Sequence, residues 1–282
     1  MKTKQNHLKT LVALILFVIF TPLQAQTINK LWETKGFNTP ESVLFSAGQN
    51  RLFVSNIGGQ NPMEKDNNGF LSVLSTSGEI LSLEWATGLH APKGMAFYEN
   101  MLVVTDIDRL AFIDTASGKV SNFLPIEGSV FLNDIVTSPD GIIVSDSRGK
   151  CYYKVKNGIA EKFLCDTSFQ FPNGLCLYQD KILSGVGNKV ISIQPKDGSY
   201  SDYIMETGGV DGLSEVTENS FIISDWAGNV HLINPDQDKK LLLSTSEEKV
   251  NAADFDYDTV SGRLYIPTFF ANSISAYELI FE

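Results

Sequence analysis

Histidine and cysteine are scarce in this chain, and basic side chains are outnumbered by acidic ones. Its 282 residues include three histidines and three cysteines. A Ser-His-Asp triad or a histidine-rich metal centre therefore has little material to draw on. The cysteines, Cys151, Cys165 and Cys176, are too few, and odd in number, for a disulfide framework. Cys151 and Cys165 fall on neighbouring strands joined by a turn at Asn157-Gly158. Plain side-chain alternation sends them to opposite faces of that hairpin, so buried free thiols are expected, with a bridge only if a bulge corrects the register. With 22 basic against 33 acidic residues, the net charge is −11. Such a chain is repelled by nucleic-acid phosphate and by anionic lipid, so neither is expected as a partner. No glycine-rich phosphate loop is present, and no stretch keeps a helical period for as many as twelve residues.

The first 25 residues differ from the rest. Lys2, Lys4 and Lys9 precede an apolar run from Leu11 to Phe20, and Thr21-Pro22-Leu23-Gln24-Ala25 follows. A basic start, a short apolar stretch and a small residue before the cut describe a secretory signal peptide, with cleavage after Ala25. Ten apolar residues are too few to span a bilayer, so no membrane span is expected after cleavage. Loss of residues 1–25 removes three lysines and no acid, moving the net charge from −11 to −14. A periplasmic or secreted location and a monomeric state are expected, with residues 26–282 forming one domain.

What fills that domain is a repeat. The segments "PESVLF", "PKGMAF", "LNDIVT", "PNGLCL", "VDGLSE" and "VNAADF" align with one another. Each is followed at a fixed distance by a second recurring unit: "NRLFVSN", "NMLVVTD", "GIIVSDS", "DKILSG", "NSFIISDW" and "GRLYIPTF". The alignment puts Glu41, Lys93, Asn133, Asn173, Asp211 and Asn251 at one equivalent position, spaced by 52, 40, 40, 38 and 40 residues. An inserted loop at residues 58–69 accounts for the long first interval. It contains "EKDNNG", but Ser75 stands where a calcium loop needs its last glutamate, so it reads as a flexible loop. Short β-patterned runs on a period near forty are the signature of propeller blades. The expected fold is therefore all-β, a six-bladed β-propeller. Its last repeat shows only three strands, and residues 27–37 would supply the fourth beside the segment from Ser273 to Phe281, closing the ring.

The six aligned residues begin the strands that line the propeller axis, and all are charged or amide side chains. Such residues are depleted in strands, so their recurrence needs a reason. A water-filled channel is one. Convergence of the oxygens of Glu41, Asn133, Asn173 and Asp211 on a metal is the other. Two carboxylates and two amides are hard donors suited to Ca²⁺, with Mg²⁺ or Mn²⁺ as alternatives. Glu on blade one, Asn-Asp on blade three, Asn-Gly on blade four and Asp-Gly on blade five resemble the gluconolactonase/regucalcin superfamily of calcium-dependent, phosphotriesterase-like propellers.

The resemblance implies metal ligation by Glu41, Asn173 and Asp211, with Asn133 as a fourth ligand or a substrate contact. It also implies a small-molecule substrate, a lactone or ester, and Asp211 as general base or nucleophile. Phe131 stands where the sugar-lactonase members carry a substrate-binding arginine, which argues against a sugar acid lactone. Lys93 is a second departure: it would either bind an anionic substrate group or stabilise a developing oxyanion, or else lie against Glu41 or Asp211 and take the metal's place. The last possibility corresponds to a non-catalytic binding or scaffold propeller. His90 and Asn251 are further candidates for substrate contact. Asp106, Asp146 and Asp225, at the ends of second strands, would orient the ring from behind or merely cap turns.

Overall fold

The computed structural model describes residues 25–281, so all of the expected signal peptide but Ala25 lies outside the described residues. Six four-stranded antiparallel sheets form a ring, and five of them run from an inner strand outward in chain order. The inner strands are Pro40–Ser46, Pro92–Tyr98, Leu132–Ser138, Asn173–Tyr178, Leu213–Thr217 and the short Asp256–Asp258. Blade six takes its outermost strand from Ala25–Lys35, which pairs antiparallel with Ser273–Phe281. The expected closure by an N-terminal strand is thus observed. Among the described residues, the one helical piece is the 3₁₀ turn Phe269–Ala271, and no helix is long and apolar enough to cross a membrane.

The second strands explain the apolar runs seen in the sequence. Leu52, Phe53 and Val54 in blade one are all fully buried, as are Ile142, Ile143 and Val144 in blade three. Each blade is covered on both faces by its neighbours, so these strands are apolar continuously rather than alternately. Val54, for example, packs into a cluster with Tyr265 and Ala276 of blade six, while Phe53 packs with Leu102 and Val104 of blade two.

Two expectations are corrected. Cys151 and Cys165 form a disulfide, with their Cα atoms 4.2 Å apart. The register places Cys151 opposite Cys165 and Tyr152 opposite Leu164, then jumps to Tyr153 opposite Lys162. One extra residue in the bulge at Phe163 shifts the alternation and brings both cysteines to the same face. Cys176 remains free, and burial pushes its thiol up to about 12. The inserted loop is not a free excursion either. Its backbone accepts from Asn38 at Gly58 O, and its Lys65 pairs with Asp108. Asn67 N donates to His90 Nδ1, and the Met63 sulfur accepts from Arg148, so the loop is tied across blades one to three.

Candidate functional site

The local structure at the channel is a repeated β-bulge. In blade one the pairing jumps from Pro40–Asn56 to Ser42–Ser55, which leaves Glu41 unpaired in the ladder. Equivalent jumps occur at Pro92/Met95, Leu132/Ile135 and Asn173/Leu175. A bulge bends its strand and re-aims the extra side chain, which carries Glu41, Lys93 and Asn133 off the regular sheet faces. Asp211 and Asn251 precede their inner strands by two and five residues.

Bulged backbone groups need partners, and a ring of buried hydroxyls supplies them. Ser55 accepts from Ser42 N, Ser145 from Asp134 N, and Ser224 from Gly212 N. Thr105 donates to Asn133 O, Ser184 to Asn173 O, and Ser224 to Ala253 O. All five hydroxyl residues are fully buried. Sequence reasoning missed them, although the signal stood in the repeats as "VSN", "VTD", "VSD", "LSG" and "ISD".

Glu41, Asn173 and Asp211 come together around the axis. Asn173 Nδ2 donates to Asp211 Oδ1 at 2.5 Å. Each of the three also keeps one oxygen buried with no hydrogen-bond partner: Glu41 Oε2, Asn173 Oδ1 and Asp211 Oδ2. Asn133 is buried with its amide on Ser147 Oγ at 3.2 Å. Burial holds the Glu41 carboxyl well above the usual range, and the nearby Asp211 charge adds to the rise. Burial likewise pushes Asp211 up to about 7, against the lowering effect of the Asn173 hydrogen bond.

Below them the acidity continues, unforeseen from the sequence. Asp134 is buried, is raised to about 7 by burial, and accepts from Leu175 N of the next blade. Asp254 is held well above the usual carboxyl range by burial and by Asp134, Glu41 and Asp211, and it accepts from Ser42 Oγ at 2.6 Å. Asp256, raised to about 6 by burial, takes Phe45 N at 2.7 Å. Among the described residues no group of three or more His, Cys, Asp and Glu side chains is disposed to hold a metal. The candidate donor set draws on amide oxygens as well as carboxylates.

Lys93 is 1% exposed, yet it touches no carboxylate. Its Nζ donates to Ala91 O at 2.9 Å and to Pro62 O of the inserted loop at 3.2 Å, and it sits 4.4 Å from the centre of the Phe131 ring. Among the described residues no carboxylate oxygen lies within 4.0 Å of it. Burial lowers its pKa to about 8, against the raising effect of Glu41.

The other candidates are more scattered. Asp106 accepts from His90 N and Ala91 N and pairs with Arg109, while Asp146 accepts from Val130 N and Phe131 N. Both therefore clamp the turn that leads into an inner strand. Asn56, which accepts from Asn38 N, does the same in blade one and was not singled out in the sequence. Asp225 holds Asn229 N in the next turn along. Asn251 donates to Trp226 O and lines a lateral cavity of about 520 Å³ between blades five and six. That cavity is larger than those at the channel, but it contains none of the ring residues except Asn251. His90 is engaged with the inserted loop and lines neither channel-mouth cavity.

No family model matches the chain, and no curated protein sequence does. Solved structures match over most of its length. A catalytically inactive variant of virginiamycin B lyase from Staphylococcus aureus, with quinupristin, is 12% identical, with a TM-score of 0.61, covering 90% of this chain and 99% of that one. A streptogramin B lyase is 14% identical with a TM-score of 0.63, covering 90% and 97%. A chain of a nidogen/laminin complex is 14% identical with a TM-score of 0.63, covering 77% and 84%. At these identities the likeness is one of fold: this protein is an all-β, six-bladed propeller.

Proposed function

We propose that the protein is an exported, metal-dependent hydrolase of the lactonase/esterase type, of the gluconolactonase/regucalcin kind, with a divalent cation at the channel ring. The observation that carries this reading is the set of three buried, unpartnered oxygens on Glu41, Asn173 and Asp211. A buried polar atom without a partner costs free energy, so three in one ring call for a ligand. All three are hard donors of the kind Ca²⁺, Mg²⁺ or Mn²⁺ takes, and Asn133 stands beside them as a fourth donor or a substrate contact. A cation held by these residues would supply Lewis-acid polarisation of a carbonyl or phosphoryl oxygen. Asp211 would orient the attacking water or accept its proton. Lys93, buried against the Phe131 ring with its Nζ on two carbonyls, would favour an anionic substrate group or a developing oxyanion through its charge.

Further support is of a general kind. The fold carries catalysis in virginiamycin B lyase, and the Cys151–Cys165 bridge suits an oxidising compartment. The test is a thermal melt with Ca²⁺ and with chelator, paired with a turnover screen on lactones, aryl esters and phosphotriesters. Ca²⁺ should raise Tm for the wild type and not for Asp211→Ala, because a ligand of the folded state stabilises by mass action. Equal response of both proteins would remove the metal site. Metal stabilisation without turnover of any substrate class would leave a binding propeller.

A further inference from the structure

Above the acidic ring, the channel mouth is walled by aromatic side chains, two of them exposed. Phe171 is 71% exposed and Trp226 is 46% exposed. Phe171 also holds φ +47°, a left-handed conformation that a bulky side chain rarely adopts. Exposure and backbone strain both disfavour a phenylalanine there, yet it is the residue present. Trp226 is steadied from behind by Phe269, ring centres 4.6 Å apart, so its outer face is presented in a defined orientation.

These two rings, with Phe131 and Arg148, line a cavity of about 440 Å³, within the range of small-ligand sites. A second space of about 200 Å³ shares Phe171, Asn173 and Trp226 with it and reaches Asp211. A molecule seated between the aromatic walls would therefore lie directly over the candidate reacting centre. Arg148 gives the mouth its charge. Its contacts are the Met63 sulfur at 2.7 Å and the Phe131 face at 4.9 Å, and among the described residues no carboxylate oxygen lies within 4.0 Å of it. Thioether and ring are weak acceptors, so the guanidinium's planar fork stays available to an anion, although the chain as a whole is acidic.

We infer that the mouth is a subsite for a flat aromatic group bearing a carboxylate, with the ring between Phe171 and Trp226 and the anion on Arg148. As a statement about substrate, an aryl-bearing anionic ester or lactone, it rests on the hydrolase reading above. As a statement about binding it stands apart from that reading. The probes are 2-naphthoate and 2-naphthol, titrated by calorimetry into the whole protein, once with Ca²⁺ and once with chelator. One saturable site for 2-naphthoate is expected. Phe171→Ala and Trp226→Ala should each weaken it by roughly five- to tenfold. Arg148→Gln should weaken 2-naphthoate and leave 2-naphthol unchanged. Phe171 and Arg148 are exposed, so these variants keep the fold even if Trp226→Ala disturbs its packing on Phe269. Absence of saturable binding, or binding that none of the three substitutions alters, overturns the inference. Failure of the lactone and ester screen would overturn the hydrolase reading alone.

Discussion

At the scale of single residues, Lys93 and the carboxylates of the channel set the electrostatics. Lys93 donates to Pro62 O across 31 residues of chain, so it pins the inserted loop as well as charging the channel. Lys93→Met should keep the Ca²⁺-induced rise in Tm, because it removes a competing positive charge. It should also release the loop, and limited proteolysis should cut near Met63 to Asn68 faster than in the wild type. An unchanged cleavage rate would show that the other tethers hold the loop alone. The pH dependence follows from the raised carboxyls. Asp134 and Asp211 titrate at about 7 and Asp256 at about 6, with Glu41 and Asp254 well above the usual range. Between roughly pH 4 and 7 the folded protein therefore keeps protons that the unfolded chain has lost, so stability falls as pH rises. Lys93, lowered to about 8, acts in the opposite sense above that pH. Melts in chelator should give a lower Tm at about pH 7.5 than at about pH 5, and Ca²⁺ should reduce the difference. A Tm that climbs over that range would contradict the burial of these acids.

At the scale of elements, two local irregularities matter more than the regular strands. The bulge at Phe163 permits the Cys151–Cys165 bridge, which closes a loop of sequence separation 14. Replacing both cysteines by serine should cost about 2–4 kcal/mol, read as a drop in the denaturant midpoint. A midpoint that does not move would mean the hairpin is equally constrained without the bridge. At the start of the blade-two inner strand, a Cβ on Gly94 would come 2.7 Å from Asp134 Cα of blade three. Gly94→Val should therefore push the two inner strands apart and destabilise by about 1–3 kcal/mol, measured by the same denaturant titration. Repeat spacing exposed the blades because burial on both faces imposes the same apolar run six times. It could not decide for the bridge, since a one-residue bulge leaves no mark in hydrophobic alternation.

At the scale of the whole molecule, the ring depends on one seam. The first strand belongs to blade six, but its side chains reach into blade one: Trp32 Nε1 donates to Thr76 O at 3.2 Å and Thr34 Oγ1 to Gly78 O at 2.6 Å. Trp32 also packs on Tyr265, ring centres 6.1 Å apart. Trp32→Ala with Thr34→Ala should cost about 2–4 kcal/mol and lower Tm by several degrees, with aggregation on heating as sheet edges open. Calorimetry on the double variant checks this, and an unchanged Tm would assign closure to the strand pairing alone.

The sequence by itself determined the blade number, the closing strand and the polar identity of the ring. Each of these repeats with the chain, or is what the repeat leaves incomplete, and local pattern carries it. Tertiary structure alone decided which oxygens lack partners, where Lys93 points, and that Asp134, Asp254 and Asp256 extend the acidity down the channel. Those outcomes depend on groups brought together from different blades, such as Leu175 N on Asp134 and Ser42 on Asp254, and no spacing within one repeat encodes them. The aromatic mouth belongs to the same class: Phe131, Phe171 and Trp226 are scattered through three turns and become one wall only when the ring closes.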